Sequence, residues 1–210
     1  MANDLPEFLG LGLHASAAHN NTVYVLGGTN IFGPRNVVYY ASANGDGSLS
    51  SWQGTTPMPQ KLMGHAAVVN SNRIYVIGGM IRSAGASANV YYADILEDKT
   101  LGPWKTANSL PTNLMGHKAI TIGDKIYVLG GTINNRFYST DGTPNANVSS
   151  KVYMATVLAD GSLSAWQETS SMLEHLTLHA ASTSGKNIYT LGGYNGTGIT
   201  NAVYFAPVLD

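Results

Sequence analysis

The sequence predicts an all-β protein, a β-propeller built of four-stranded antiparallel blades, and three spacings predict it. His14, His65, His117 and His179 each stand thirteen residues before a Gly-Gly pair, at Gly27-Gly28, Gly78-Gly79, Gly130-Gly131 and Gly192-Gly193. Trp52, Trp104 and Trp166 each precede the next histidine by thirteen, and Tyr39, Tyr91 and Tyr153 precede those tryptophans by thirteen. One unit of about fifty residues is therefore written roughly four times, and self-similarity at that period marks a repeat array.

Each unit carries four short apolar segments. The first runs from Ala66 to Val69, with Lys118 to Ile122 as its counterpart. The second runs from Ile74 to Ile77, matched by Val23 to Leu26, Ile126 to Leu129 and Ile188 to Leu191. The third is Val90 to Ile95, and the fourth surrounds Trp104. Val, Ile, Tyr and Thr fill these segments while Asn, Gly, Asp and Ser bound them, which is strand chemistry punctuated by turn chemistry. Asn20-Asn21, Gly123-Asp124 and Gly185-Lys186 stand where neighbouring strands need a tight reversal with positive φ. Apolar residues nowhere keep helical spacing for two turns, so no helix is expected. A small twisted sheet cannot bury both faces alone; stacking such sheets around an axis buries them. The units run over about 11–61, 62–113, 114–175 and 176–210 within a single domain, 1–210, and the last lacks its outer strand.

At these residues the chain resembles the kelch family: an apolar strand, then Ile/Val-Tyr-Val-Leu/Ile-Gly-Gly, then a Tyr and a Trp downstream. The resemblance covers nearly the whole chain and is closest to the bacterial kelch-like type. It departs in a longer Tyr-to-Trp interval, and in having four units where six or seven are usual.

Composition narrows the partners. Charged residues are 11% of the chain and the net charge is −1, leaving no basic patch for nucleic acid. No run of eighteen apolar residues could span a membrane, and the N-terminal MANDLPEFLGLGLHA lacks the pattern of a signal peptide. Cysteine is absent, so disulfides and thiolate metal sites are excluded. An uncharged surface rich in Asn, Ser and Thr leans towards an extracellular or bacterial cell-surface setting.

The four repeated histidines invite a metal-ring reading, but a wide channel would not bring them within the ~2.0–2.2 Å that a metal requires. One hydrogen bond to a neighbouring blade per repeat is the simpler role, and no metal, cofactor or catalytic residue is assigned. The Gly-Gly pairs lack the following helix and G-x-G-x-x-G spacing of a phosphate loop, and mark sharp turns where blades crowd. Asp46, Asp98 and Asp160, each six before a Trp, miss the spacing of a sialidase aspartate box and fit turns in which Asp caps its own backbone.

Length varies in one place only. From the first Gly of each pair to the next Tyr the interval is 12, 13, 23 and 12 residues, so variation is confined to the loop between second and third strands. Geometry puts all four loops on one face with the inter-blade returns, where a rigid scaffold displays specificity. The candidate ligand-binding residues are Arg35, Arg82, Arg136, Phe137, Tyr138, Tyr194 and Asn195, with His175 from a return. Arg, Asn and aromatic rings suit a carbohydrate or protein ligand, and the loops lack the paired titratable groups of acid–base catalysis. The leading reading is a non-catalytic binding module. The family resemblance implies an enzymatic alternative, a sugar-acid epimerase of the N-acetylneuraminate type with Glu174 or His175 carrying protons; a galactose-oxidase type is excluded because it needs a cysteine. A third alternative is a purely structural self-assembling subunit. Because one edge stays unpaired, two chains closing an eight-bladed ring as a homodimer are favoured over a self-closed four-bladed monomer or a fragment of a longer chain.

Overall fold

Why these residues make blades shows first in the turns. The architecture is seen in a computed structural model, which describes residues 4–7, 9–133, 143 and 145–208. Two-residue turns join each inner strand to the next, and their first residues, Asn20, Ser71, Gly123 and Gly185, all take positive φ. That conformation matches the right-handed twist of the paired strands. A second turn is locked by aspartate: Asp46, Asp98 and Asp160 accept from the backbone N–H and the hydroxyl of Ser48, Thr100 and Ser162 at 2.6–3.0 Å. Lys99, at φ 72°, takes the left-handed position that Gly47 and Gly161 hold in the sister turns.

These turns fold three four-stranded sheets and one of three. The first blade is Ala15–His19, Thr22–Leu26, Val38–Ser42 and Gln53–Gly54, paired antiparallel in that order. The second is Ala66–Asn70, Arg73–Ile77, Val90–Asp94 and Lys105–Ala107; the third is Lys118–Ile122, Lys125–Leu129, Val152–Thr156 and Gln167–Glu168. The fourth has Ala180–Ser184, Asn187–Tyr194 and Ile199–Pro207. No helix occurs among the described residues, and the arrangement is a β-propeller of four blades. The outer strands start just after each Trp rather than around it, because the indoles are used across the junction: Trp104 Nε1 donates to Thr56 O (3.1 Å) and Trp166 Nε1 to Asn108 O (2.8 Å).

The core lies between blades. Tyr24, Leu26, Val38 and Tyr40 of the first blade meet Ile74, Val76, Ala93 and Leu101 of the second, with Met58 and Leu62 of the return inserted between. The next junction repeats this with Tyr75, Ile77, Val90 and Tyr92 against Ile126, Val128, Ala155 and Leu163. The hydroxyl of each buried tyrosine reaches the following blade's aspartate turn, Tyr24 to Lys99 O (2.8 Å) and Tyr75 to Gly161 O (2.9 Å). Burial of the tyrosines, more than any neighbouring charge, pushes both hydroxyl pKa values up to about 12.

Among the described residues the first and fourth blades are not joined into a self-closed ring. Near the axis, backbone N–H groups of one blade donate to the blade before it: Gly64 to Leu13 O, Gly116 to Gly64 O and Leu178 to Gly116 O, at 2.8–2.9 Å. Among the described residues this collar stops at Leu178, and no bond returns from the first blade to it. His14 is exposed while His65, His117 and His179 are buried, and Val203 and Phe205 of the fourth blade are 60% and 68% exposed.

Trp104→Ala removes the indole from the first junction and leaves the Thr56 carbonyl without its donor. It should cost about 3 kcal/mol, at the lower end for a large aromatic because Trp104 is only half-buried. Chemical denaturation measures this; a loss under ~1 kcal/mol would show the indole to be no part of the inter-blade core.

Candidate functional site

Between the second and third strands of the first two blades, the chain turns back as short ribbons. Thr29–Asn30 pairs with Gly33–Pro34, and Met80–Ile81 with Gly85–Ala86. Both ribbons stand beside the inter-blade returns, through the bridges Arg35↔Leu62, Met63↔Met80 and Ser87↔Leu114, so loops and returns share one face. Ile31 and Phe32 at the first tip are 77% and 68% exposed. Between the ribbons lies a groove of about 270 Å³ lined by Phe32, Pro34, Gln60, Lys61, Ile81, Arg82 and Ser83. Apolar walls with two cations and no carboxylate suit an apolar side chain beside an anionic group.

The residues singled out from the sequence fall into three places. Arg82 reaches across the groove, its Nη1 donating to Phe32 O at 2.5 Å, which fixes the guanidinium while leaving further donors for a ligand. Arg35 is engaged by the chain itself: Nη2 lies 3.4 Å from Glu7, whose carboxylate also accepts from Tyr39 Oη at 2.9 Å. Burial first, and the Glu7 carboxylate second, push the Tyr39 hydroxyl up to about 12. The Glu7 side chain is only 8% exposed, so this pair is a fastening for the N-terminal segment.

Tyr194, Asn195 and His175 do come together, at the fourth blade. Asn195 Nδ2 donates to Glu174 Oε1 at 2.7 Å while Tyr204 Oη donates to Glu174 Oε2 at 2.9 Å. His175 Nδ1 lies 2.7 Å from Val148 O, and buried Tyr194 donates to Gly196 O at 3.0 Å. Both oxygens of Glu174 are thus occupied. Arg136, Phe137 and Tyr138 lie outside the described residues. Sequence reasoning passed over Ile31, Phe32 and Lys61; the signal was two adjacent apolar residues within a length-variable loop.

The repeated histidines point between blades rather than at one another. His117 Nε2 sits 3.1 Å from Ile77 O of the blade before, whereas neither ring nitrogen of His65 or of His179 has a hydrogen-bond partner, so the bond expected once per repeat is made by His117 alone of these three. His117 and His179 bury Nδ1 with no hydrogen-bond partner, which only a neutral ring tolerates. Among the described residues, no three His, Cys, Asp or Glu could hold a metal ion together.

A second groove lies elsewhere. A groove of about 520 Å³ opens at the rim between third and fourth blades, lined among others by Tyr127, Met154, Met172, Ile188, Phe205 and Pro207. In the two earlier junctions the same place is filled by Leu101 with Trp104, and by Leu163 with Trp166. Among the described residues the fourth blade has three strands and none of them fills this place; we assign the groove no ligand.

Residues 13–208 match the KLHDC2/KLHL20/DRC7 Kelch-repeats domain. The chain belongs to the kelch-repeat family. Among its relatives, alpha-scruin of Limulus polyphemus is 26% identical over 202 residues, covering 94% of this chain and 21% of that protein. Human kelch-like protein 15 is 25% identical over 188 residues, covering 82% of this chain and 29% of its own length. The kelch-repeat chain therefore spans between a fifth and a third of these relatives. The solved structure of YjhT superposes with a TM-score of 0.78 at 14% identity, over 98% of this chain and 65% of that one, a likeness of fold.

Burial of the histidines has a consequence for stability. It lowers their pKa values from 6.5 to about 4 for His65, about 3 for His117 and about 4 for His179. The unfolded chain binds protons that the folded one refuses, so stability is full above pH 6.5 and falls as pH drops towards 4. Three such groups give a limiting slope of about 4 kcal/mol per pH unit. Urea midpoints across this range check it; a flat profile from pH 6.5 to 4 contradicts neutral, buried rings.

Proposed function

We propose that this kelch-repeat chain is a non-catalytic interaction module that grips a protein segment in the groove between the first two loop ribbons. Kelch repeats generally mediate protein interactions, and the observation that carries the reading here is the groove's lining. Phe32, Pro34 and Ile81 offer an apolar floor, and Lys61 and Arg82 place two cations at its edge. An extended peptide with an apolar side chain next to an acidic one meets both requirements. A neutral sugar would leave the cations unused.

The epimerase alternative, with Glu174 moving protons, fits less well, because both its oxygens already accept from Asn195 and Tyr204. A group so engaged is better suited to holding the loop than to acid–base exchange.

A peptide-display selection against the purified chain, followed by calorimetry on the enriched sequences, tests the reading. Arg82→Ala and Phe32→Ala should each weaken binding about tenfold or more while shifting Tm little, since both side chains are largely exposed. Enriched peptides insensitive to both changes, or sugar acids showing catalysed anomeric exchange by proton NMR, would replace this reading with another surface or with catalysis.

A further inference from the structure

The two ends of the arc are opposite halves of one junction. In the interior, that junction has three recurring parts. A tyrosine and a second aromatic on one blade face are stacked, Tyr24 with Tyr40 and Tyr75 with Tyr92, at 6.2 and 5.7 Å between centroids. The next blade covers them. Its histidine ring lies against the first glycine of the preceding pair: a Cβ at Gly27 or Gly78 would stand 2.7 Å from Cε1 of His65 or His117. The residue before that histidine donates its N–H to the collar.

The fourth blade presents the first half of this set with nothing upon it. Tyr189 and Phe205 are paired at 6.1 Å, as in the interior. Leu191, Val203 and Phe205 are 39%, 60% and 68% exposed, whereas their counterparts Leu26, Val38 and Tyr40 are 0%, 2% and 9%. No histidine approaches Gly192; the nearest atom to a Cβ there is Thr200 O at 3.3 Å. Leu178, equivalent to Gly64 and Gly116, has a carbonyl that accepts no backbone N–H among the described residues.

The first blade presents the second half. His14 is exposed, and Leu13, in the collar position, has no acceptor for its N–H among the described residues. Ser16 and Ala18 are exposed where the second blade half-buries Ala67 and Val69. None of the residues named on either end face carries a formal charge except through histidine, so like-charge repulsion does not oppose contact. The end faces therefore continue an interface whose collar and histidine parts the chain already makes three times and whose aromatic pair it makes twice.

We propose that a second copy of this chain docks head-to-tail, seating its first blade on the fourth blade of its neighbour, with His14 over Gly192 and the Leu13 N–H on the Leu178 carbonyl. This surface is separate from the loop-face groove, so either reading can fail without the other. The contact is heterologous, and two such contacts relate two chains by a two-fold axis if the arc closes.

Light scattering after gel filtration at micromolar concentration should give a mass of twice 22.1 kDa or a larger multiple. Val203→Asp with Phe205→Asp blocks one end, and Ala18→Arg with Ser16→Arg blocks the other; each double variant alone should run at 22.1 kDa. Mixing the two should restore a species of about 44 kDa, twice 22.1 kDa, through the one junction left intact. That rescue also shows that both variants are folded. A wild-type chain that stays at 22.1 kDa, blocked variants that still associate, or a mixture that stays single overturns the proposal.

Discussion

The structure depends on a histidine ring wedged between glycines of two blades. On its own blade the second glycine lies under it: a Cβ on Gly79 would stand 2.6 Å from Cβ of His65, and no substituent fits. On the blade before, the ring occupies the place a Cβ of the first glycine would take. Both glycines sit at positive φ, 58° and 96° at Gly78 and Gly79, so space and backbone conformation demand the same residue. A ring in that slot fixes how near the blades approach, and the tyrosine, leucine and tryptophan contacts farther out follow from it. Burial in that slot holds the imidazole pKa well below its ordinary value, so the ring stands neutral.

The collar shows how much this geometry tolerates. Gly64 and Gly116 take its left-handed positions at φ 61° and 67°, but Leu13 and Leu178 adopt the same conformation at 51° and 54°. A leucine there costs roughly 1–2 kcal/mol of steric strain. The two leucines stand in the first and last units, and at Leu178 the inter-blade bond to Gly116 O is made in spite of the strain. Lys99 makes the same compromise in its aspartate turn, where its carbonyl is the acceptor for Tyr24.

The propeller was legible in the sequence because every constraint that builds it is local and repeated. Gly-Gly is required by the slot, Asp by its own turn, Tyr by the next blade's turn, and thirteen-residue intervals count the strands between them. The candidate site was legible only in outline. Loop lengths pointed to the face that carries the ribbons and the returns, yet they could not show that Arg35 would be taken by Glu7, twenty-eight residues earlier in a segment that matches no strand. Nor could they show that Asn195 and Tyr204 would close over Glu174. Such pairings are made once, by residues that the repeat does not dictate, and periodicity carries no information about them.

The same distinction separates what the scaffold does from what it displays. Blade faces are nearly interchangeable: the aromatic pair at Tyr189 and Phe205 keeps the geometry of Tyr24 and Tyr40 with no blade covering it. A face preformed in this way loses little conformational freedom on docking, so its apolar area is available for association rather than spent on ordering. The loop ribbons differ from one another in length and residue, and Arg82 is held to Phe32 by a single backbone acceptor. Uniform faces favour like-with-like stacking, and individual loops favour discrimination. With 11% charged residues and a net charge of −1, neither kind of surface has to overcome a strong field of its own.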